Sequence, residues 1–330
     1  MKSVGLDVGY GFVKVTDGSV GYSFPSVIGD RSLDTFQIDI KMNRTPVDNM
    51  QIKYKGKFYN VGKAAIKHSN YLYRDLSLAR NYGNNFEIMF LMALSLLCNK
   101  NENEMRVVTG LPPQYMHMAE VAKNSLVGDH EITVMRDNKF QDMEITLADL
   151  DIVPQPLGTF WSEHLTQGQS GYDVTEGLKV GVIDIGFGTT DLAIIEDGEY
   201  IHEKSLTLPI GMSAVYKEIS SEIFKKYGIN KEAHSLDQVV IKRRIRIANK
   251  EEDISEFLNV SYNKIAENII VETISNWKYR ELDQIIITGG GSHELGKLFL
   301  QYFPQGVLAK EPFTANSRGY LAWAMHKESF

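Results

Sequence analysis

Cysteine is almost absent. Cys98 stands alone among 330 residues, which excludes an internal disulfide and a cysteine-based zinc site. Long apolar runs are missing too. The longest, Ile88–Cys98, falls well short of the about 20 residues that span a bilayer. The opening MKSVGLDVGYG lacks the apolar stretch of a signal peptide. Positive charge is in deficit: 35 Lys and Arg against 42 Asp and Glu leave a net charge of −7. A chain-wide field for nucleic acid is therefore not expected, although a local basic patch is compatible with this balance. No low-complexity linker occurs. What remains is a composition typical of folded chains, with 43% hydrophobic and 23% charged residues. At roughly 100–200 residues per domain the length suits about two domains. The expectation is a cytoplasmic protein without direct membrane contact.

The strongest pattern is a long-range repeat. Val4–Val15 reads VGLDVGYGFVKV and Gly181–Leu192 reads GVIDIGFGTTDL. Aligned on Asp7 and Asp184, both run aliphatic–Asp–aliphatic–Gly–aromatic–Gly. A separation of about half the chain is too long for a solenoid and points to two related halves. Glycine tolerates tight turns and close approach, and the flanking β-branched and aromatic residues favour strands. Each half should therefore open with strand, tight turn, strand.

Elsewhere, Asp197-Gly198 and Lys55-Gly56 mark hairpins, and Glu131–Met135 should pair with Phe140–Ile145 around Asp137-Asn138. Asn85–Cys98 reads as a buried helix, followed by a strand at Met105–Thr109 and a helix from Pro113 or Gln114 to Leu126. Pro156–Gln167 reads as helix and Gly168–Gly177 as loop. Ser213–Tyr227 is amphipathic and ends at Gly228. Ser261–Tyr279 has helical spacing with Ser261 as its expected cap. Gln284–Thr288 is a buried strand running into Gly289-Gly290-Gly291, and the last helix covers about Arg318–His326. Lys242-Arg243-Arg244-Ile245-Arg246 reads first as a solvated helix face. Strands alternating with helices in two halves indicate an α/β architecture.

Gly-rich turns after strands present backbone N–H groups to anions. Two of them could grip a polyphosphate from both sides, with Asp7 and Asp184 holding the waters of a Mg2+. Lys14 adds positive charge, and Thr189 and Thr190 add hydroxyls. One D-x-G-x-G is common in hairpins; two copies in the same frame are not. Three consecutive glycines at 289–291 would let a nucleoside lie against backbone. Other signatures fail: Gly62-Lys63-Ala64 lacks the Walker Ser/Thr, His130-Glu131 lacks the second His of a zincin, and no G-x-S-x-G occurs.

These residues resemble the actin-type ATPase superfamily, which includes actin, heat-shock chaperone ATPases, sugar kinases, MreB and ParM. Five segments match in order: Gly5–Val15, Pro154–Thr159, Val182–Ile195, Ile287–Gly296 and Asn316–Leu321. Within it, GLDVGYGFVKV, PQPLGTF, DIGFGTTDL, TGGGS and ANSRGYLAWA are most similar to the ParM/StbA plasmid-segregation actins and the related archaeal actin. The resemblance implies an actin-like (ribonuclease-H-like) duplicated fold. Residues 1–157 with 319–330 would form one domain, with a small insert at about 20–75. Residues 158–318 would form the other, and the nucleotide would lie in the cleft between them. It implies that Asp7 and Asp184 hold Mg2+ through water. Gly9, Tyr10, Gly11, Phe12 and Lys14 would bind the β-phosphate side, and Gly186, Gly188, Thr189 and Thr190 the γ-phosphate side. Gln155 would orient the attacking water, as Gln does in other phosphoryl-transfer enzymes. Gly289, Gly290 and Gly291 would pack on ribose and adenine, with Gly211 near the ribose-phosphate. The nucleotide would be ATP or GTP, hydrolysed in step with head-to-tail filament assembly. A ParR-like DNA-binding adaptor would link the filament to a centromere-like DNA site.

Two other readings share the fold. A small-molecule kinase would need a carboxylate base, for which Asp191 is the one candidate near the second turn. Asp191 matches Lys14 in the alignment, so its side chain is expected to point away from the cleft. A non-plasmid cytoskeletal or archaeal-type actin, or a monomeric regulator, would keep the nucleotide site and change the partners. A heat-shock chaperone is not expected because no peptide-binding domain follows Phe330. MreB is not expected because MKSVGLDVG leaves no room for an N-terminal membrane segment.

Overall fold

Each half of the chain opens with the same three-strand meander, and the first strand of each then gains a parallel neighbour. The computed structural model of the protein describes residues 1–31, 45–74, 84–99, 103–136, 139–165, 176–231 and 235–327. The first half supplies β1 (Lys2–Val8), β2 (Phe12–Thr16), β3 (Gly21–Pro25), β4 (Ile28–Asp30), β5 (Met50–Tyr54), β6 (Lys57–Val61), β7 (Leu72–Tyr73), β8 (Glu104–Leu111), β9 (Gly128–Arg136) and β10 (Lys139–Pro154). The second supplies β11 (Lys179–Ile185), β12 (Thr190–Glu196), β13 (Glu199–Leu208), β14 (Arg244–Ile247), β15 (Lys250–Asp253), β16 (Gln284–Thr288) and β17 (Gly306–Leu308). The sheet orders are β3-β2-β1-β8-β10-β9-β5-β6-β4-β7 and β13-β12-β11-β16-β17. The leading segments β3-β2-β1-β8 and β13-β12-β11-β16 are the same motif. In both, the first strand pairs antiparallel with its hairpin partner and parallel with the crossover strand.

The chain divides into two units, Met1–Gln169 with Asn316–Phe330, and Ser170–Ala315. The break expected after residue 157 would cut the helix Gln155–His164; that helix is continuous and belongs with the first unit. In the first unit β1 is buried on both faces, as a central strand must be. The helix Asn84–Ser95 buries nearly every side chain and joins Val4, Leu6 and Val13 in one core. Its lack of a polar face reflects that position. In the second unit Ile183, Ile185, Ile285 and Ile287 meet the helices Met212–Tyr227, Ser255–Asn276 and Ser292–Tyr302.

The C-terminal helix Ala315–Lys327 returns to the first unit and lies against Gln155–His164. Gly158 and Gly319 bring the two backbones together: a Cβ at Gly319 would collide with the Gly158 carbonyl, and one at Gly158 would sit 2.8 Å from Asn316 Cα. Around that contact Trp161 stacks on Trp323 at 4.5 Å between centroids. The buried Thr159 hydroxyl donates to Asn316 Oδ1 at 2.8 Å.

Several expectations need correction. The helix expected to start at Ser261 begins at Ser255, where Asp253 Oδ1 accepts the Ser255 N–H at 2.7 Å. Ser261 is an interior, buried position, so the apolar spacing was real but its start was misplaced. The basic run is not a helix face. Asp237–Lys242 is a short helix, Arg243 turns the chain at φ 54°, and Arg244–Ile247 is a strand. The segment from Pro113 begins as a 3-10 helix to Met118 and becomes α-helical only at Ala119. The helix Ser292–Tyr302 was not anticipated, although Leu295 and Phe299 carry its buried spacing. Asp137-Asn138 and most of Gly168–Gly177 lie outside the described residues, as do 32–44 within the expected insert.

Two measurements check the packing. Burial pushes the Cys98 thiol up to about 11, so only about one thiol in a thousand is ionised at pH 8. Iodoacetamide should leave native protein unlabelled at pH 8 and modify it fully in urea; rapid native labelling would contradict the packing around Cys98. Gly158→Ala should lower stability by about 1–3 kcal/mol in urea titration through overpacking, and an unchanged midpoint would mean the two helices can part freely.

Candidate functional site

The two repeated turns are superimposable in their hydrogen bonds. In the first unit, the Gly9 N–H donates to the Phe12 carbonyl at 3.1 Å; in the second, the Gly186 N–H donates to the Thr189 carbonyl at 2.9 Å. These are the same positions relative to Asp7 and Asp184. A Cβ would reach 2.8 Å from Phe12 O at Gly9 and 2.9 Å from Thr189 O at Gly186, so both turns are closed tightly enough to demand glycine. At equivalent positions inside the turns, the N–H groups of Gly11 and Gly188 make no hydrogen bond among the described residues. Such donors suit an anion.

Register places the charges. Asp7 is directly opposite Lys14 in the β1–β2 ladder. Lys14 Nζ donates to Asp7 Oδ2 at 2.8 Å, and both side chains are largely buried. Gln155, the first residue of its helix, points Nε2 at Asp7 Oδ1 at 3.4 Å. The buried Tyr320 donates its hydroxyl to the Gln155 carbonyl at 3.1 Å and fixes where that helix starts. Tyr320 was not among the expected site residues; its signal was only an aromatic within ANSRGYLAWA. Asp7, Gly9–Phe12, Lys14 and Gln155 are thus assembled in one place.

The second unit assembles three segments. The helix Met212–Tyr227 starts at the second turn, with the Met212 and Ser213 N–H groups donating to the Gly186 and Phe187 carbonyls at 3.1 and 2.7 Å. Gly211 permits this: a Cβ there would lie 2.8 Å from both carbonyl oxygens. Gly291 N–H donates to Ile185 O at 2.9 Å, and Gly289, at φ 84°, packs directly against the Asp184 carboxylate. Asp184, Gly186–Thr190, Gly211 and Gly289–Gly291 therefore converge. One detail differs from expectation. The Thr190 hydroxyl donates to Ile210 O at 2.8 Å and is committed within the fold. Asp191 occupies the position of Lys14, as the alignment of the two halves predicts. Asp191 and Asp184 are directly opposite across the β11–β12 ladder, so both side chains leave the same face of the sheet.

The fit to a nucleoside triphosphate with Mg2+ can be judged from these groups. Among the described residues no three His, Cys, Asp or Glu form a metal-binding cluster. The aspartates stand instead at two strand ends beside open N–H groups. That suits Mg2+, which keeps most of its waters and binds through one or two carboxylates and substrate phosphates.

A family model for the N-terminal domain of actin-like proteins matches residues 5–158, and one for the C-terminal part of archaeal MreB-like actin homologues matches residues 182–300. The chain belongs to the actin-like superfamily. Its members generally hydrolyse ATP. The actin-like chain is similar to a ParM protein from Clostridium botulinum, solved as a 15-stranded filament, at 24% identity and a TM-score of 0.81 over 99% of this chain and 100% of that one. It is also similar to Ta0583, an archaeal actin homologue, at 22% identity and 0.81, covering 99% and 100%. The same homologue in complex with ADP gives 22% identity and 0.78 over the same shares. No curated protein matches by sequence. Among the described residues no helix is long and apolar enough to cross a membrane.

The Lys14–Asp7 pair gives a direct test of this half-site. Lys14→Met strands a buried carboxylate and should cost about 2–4 kcal/mol in urea unfolding. Adding Asp7→Asn should recover at least about half of that loss. Additive losses would show that the pair does not interact in solution.

Proposed function

We propose that this actin-like chain is a ParM-like nucleoside triphosphatase whose nucleotide cycle controls its assembly into head-to-tail filaments for plasmid DNA segregation in the cytoplasm. The observation that carries the reading is the duplicated turn, with an aspartate, a closed Gly-x-x-x bond and an unclaimed N–H at the same places in both units. The likeness to a ParM solved as a filament, over the full length of both chains, supports the assembly part.

Each of the two turns would bind phosphate groups of ATP or GTP. Gly9–Phe12 and Lys14 hold the β-phosphate side, and Gly186–Thr189 the γ-phosphate side. Bound Mg2+ would neutralise phosphate charge, with Asp7 and Asp184 as its outer ligands. Gln155 positions the attacking water by hydrogen bonding; its amide cannot take the proton. Tyr320 fixes the helix that carries Gln155. Gly289–Gly291 and Gly211 would lie along the nucleoside, with Gly290 the one where a Cβ would meet only ordinary contacts. Subunits added head to tail make an open assembly, because a heterologous contact need not close. A ParR-like DNA-binding adaptor at a centromere-like site would couple the filament to DNA.

One observation favours a second reading. Asp191 sits beside Asp184 on the same sheet face and could serve as base toward a substrate hydroxyl. A small-molecule kinase of this kind would turn over faster when sugars or small alcohols are added.

Light scattering and phosphate release, followed together with Mg·ATP, separate these readings. Scattering should rise above a threshold protein concentration, with phosphate release lagging behind. Asp184→Ala should weaken nucleotide binding at least about tenfold. Gln155→Ala should keep binding and slow hydrolysis by about 100-fold. No scattering with ATP or GTP well above micromolar concentration would contradict the filament reading.

A further inference from the structure

The basic run that failed as a helix face forms one wall of a groove in the second unit. The groove has a volume of about 680 Å³, and its lining includes Lys231, Lys242, Arg244, Arg246 and Glu251. A two-residue turn at Ala248 and Asn249, with φ 44° and 68°, makes β14–β15 a tight hairpin and holds the arginines on a stiff support. The carboxylates of β15 offset the arginines only in part, with Arg246 directly opposite Glu251 and Arg244 opposite Asp253. Arg244 meets Glu251 at 3.3 Å with both side chains exposed, a pairing of small value in water. Asp253 is engaged by the Ser255 N–H. Lys231, Lys242 and Arg246 have no ion-pair partner among the described residues.

The first unit carries the complementary surface. On one face of the β9–β10 ladder, Glu131 is directly opposite Glu144, flanked by Asp129 opposite Thr146 and by Asp142 opposite Thr133. All four carboxylate residues are exposed. The threonines donate their hydroxyls to Asp129 and Asp142 at 2.7 Å each, which fixes those carboxylates in the row. Neither Glu131 nor Glu144 has an ion-pair partner among the described residues. Two cations border this face: Lys53 opposite Thr133, and Arg31 stacked over Phe140. Like charges directly opposite destabilise a ladder, and a cationic partner would remove that cost.

We propose that the basic groove of one copy of this chain binds the acidic β9–β10 face of a second copy. The two surfaces differ, so the contact is heterologous: each joined pair leaves one groove and one ladder free for further copies. The groove's excess of cations over Glu251, and the ladder's excess of carboxylates over Lys53 and Arg31, give the complementarity that sets orientation and speeds encounter. The proposal rests on the filament reading above and identifies the surfaces that join its subunits.

A charge swap tests it in the full chain with Mg·ATP. Arg244→Glu with Arg246→Glu, and Glu131→Lys with Glu144→Lys, should each raise the threshold for scattering by about tenfold or more. An equimolar mixture of the two double variants should assemble again near the wild-type threshold, because every groove then meets a ladder of opposite charge. Circular dichroism and nucleotide binding confirm that both variants are folded. If wild type assembles and the variants assemble equally well, or if their mixture stays inert, the proposal is overturned alone. The same holds if the arginine variant loses DNA binding while assembling normally, since the groove would then serve nucleic acid. If wild type never scatters, the filament reading falls and takes the proposal with it.

Discussion

One hydrogen bond made twice organises this molecule. Gly9 to Phe12, and Gly186 to Thr189, close a turn at the end of a central strand. The closure demands glycine, because any Cβ would press on the accepting carbonyl. It also returns the chain antiparallel, so that the residue after the turn lands opposite the aspartate before it. From this follow the unclaimed N–H groups of Gly11 and Gly188 and the place where the helix Met212–Tyr227 can begin. The site is therefore a consequence of the turn, with side chains added around a backbone that already favours anions.

The two copies have diverged in charge while keeping their geometry. In the first unit the residue opposite the aspartate is Lys14, which engages Asp7 and tempers its charge. In the second it is Asp191, so two carboxylates leave the same face. Both turns thus present an open N–H, the first beside the Lys14–Asp7 pair and the second beside two carboxylates.

Much of this was legible in the residues. The D-x-G-x-G frame carries its own conformational meaning, so the turns and their strands could be read directly, whereas the placing of Gly211 and Gly289–Gly291 beside the second turn came through the resemblance. The short hairpins at Lys55-Gly56 and Asp197-Gly198 were equally plain, because positive φ selects few residues. Properties set by distant packing were less visible. Ser261 looked like a cap because an interior serine on a buried face and a capping serine are the same residue in a string. Arg243–Arg246 looked helical because a charged strand in a tight hairpin has too few residues to show a period of two. Tyr320 gave no sign of its role, since its partners Gly110, Gly158 and the Gln155 carbonyl are far from it in sequence. The orientation of Asp191 required the register, which pattern alone left open.

The proposed function requires both turns to bind nucleotide. Glycine-selective 15N labelling reports on all 27 glycines, and titration with Mg2+ and a non-hydrolysable ATP analogue reads the amides of Gly11 and Gly188 directly. Both resonances should shift together and saturate at one nucleotide per chain, with Gly290 following. Movement of only one turn, or of neither at saturating nucleotide, would contradict the account.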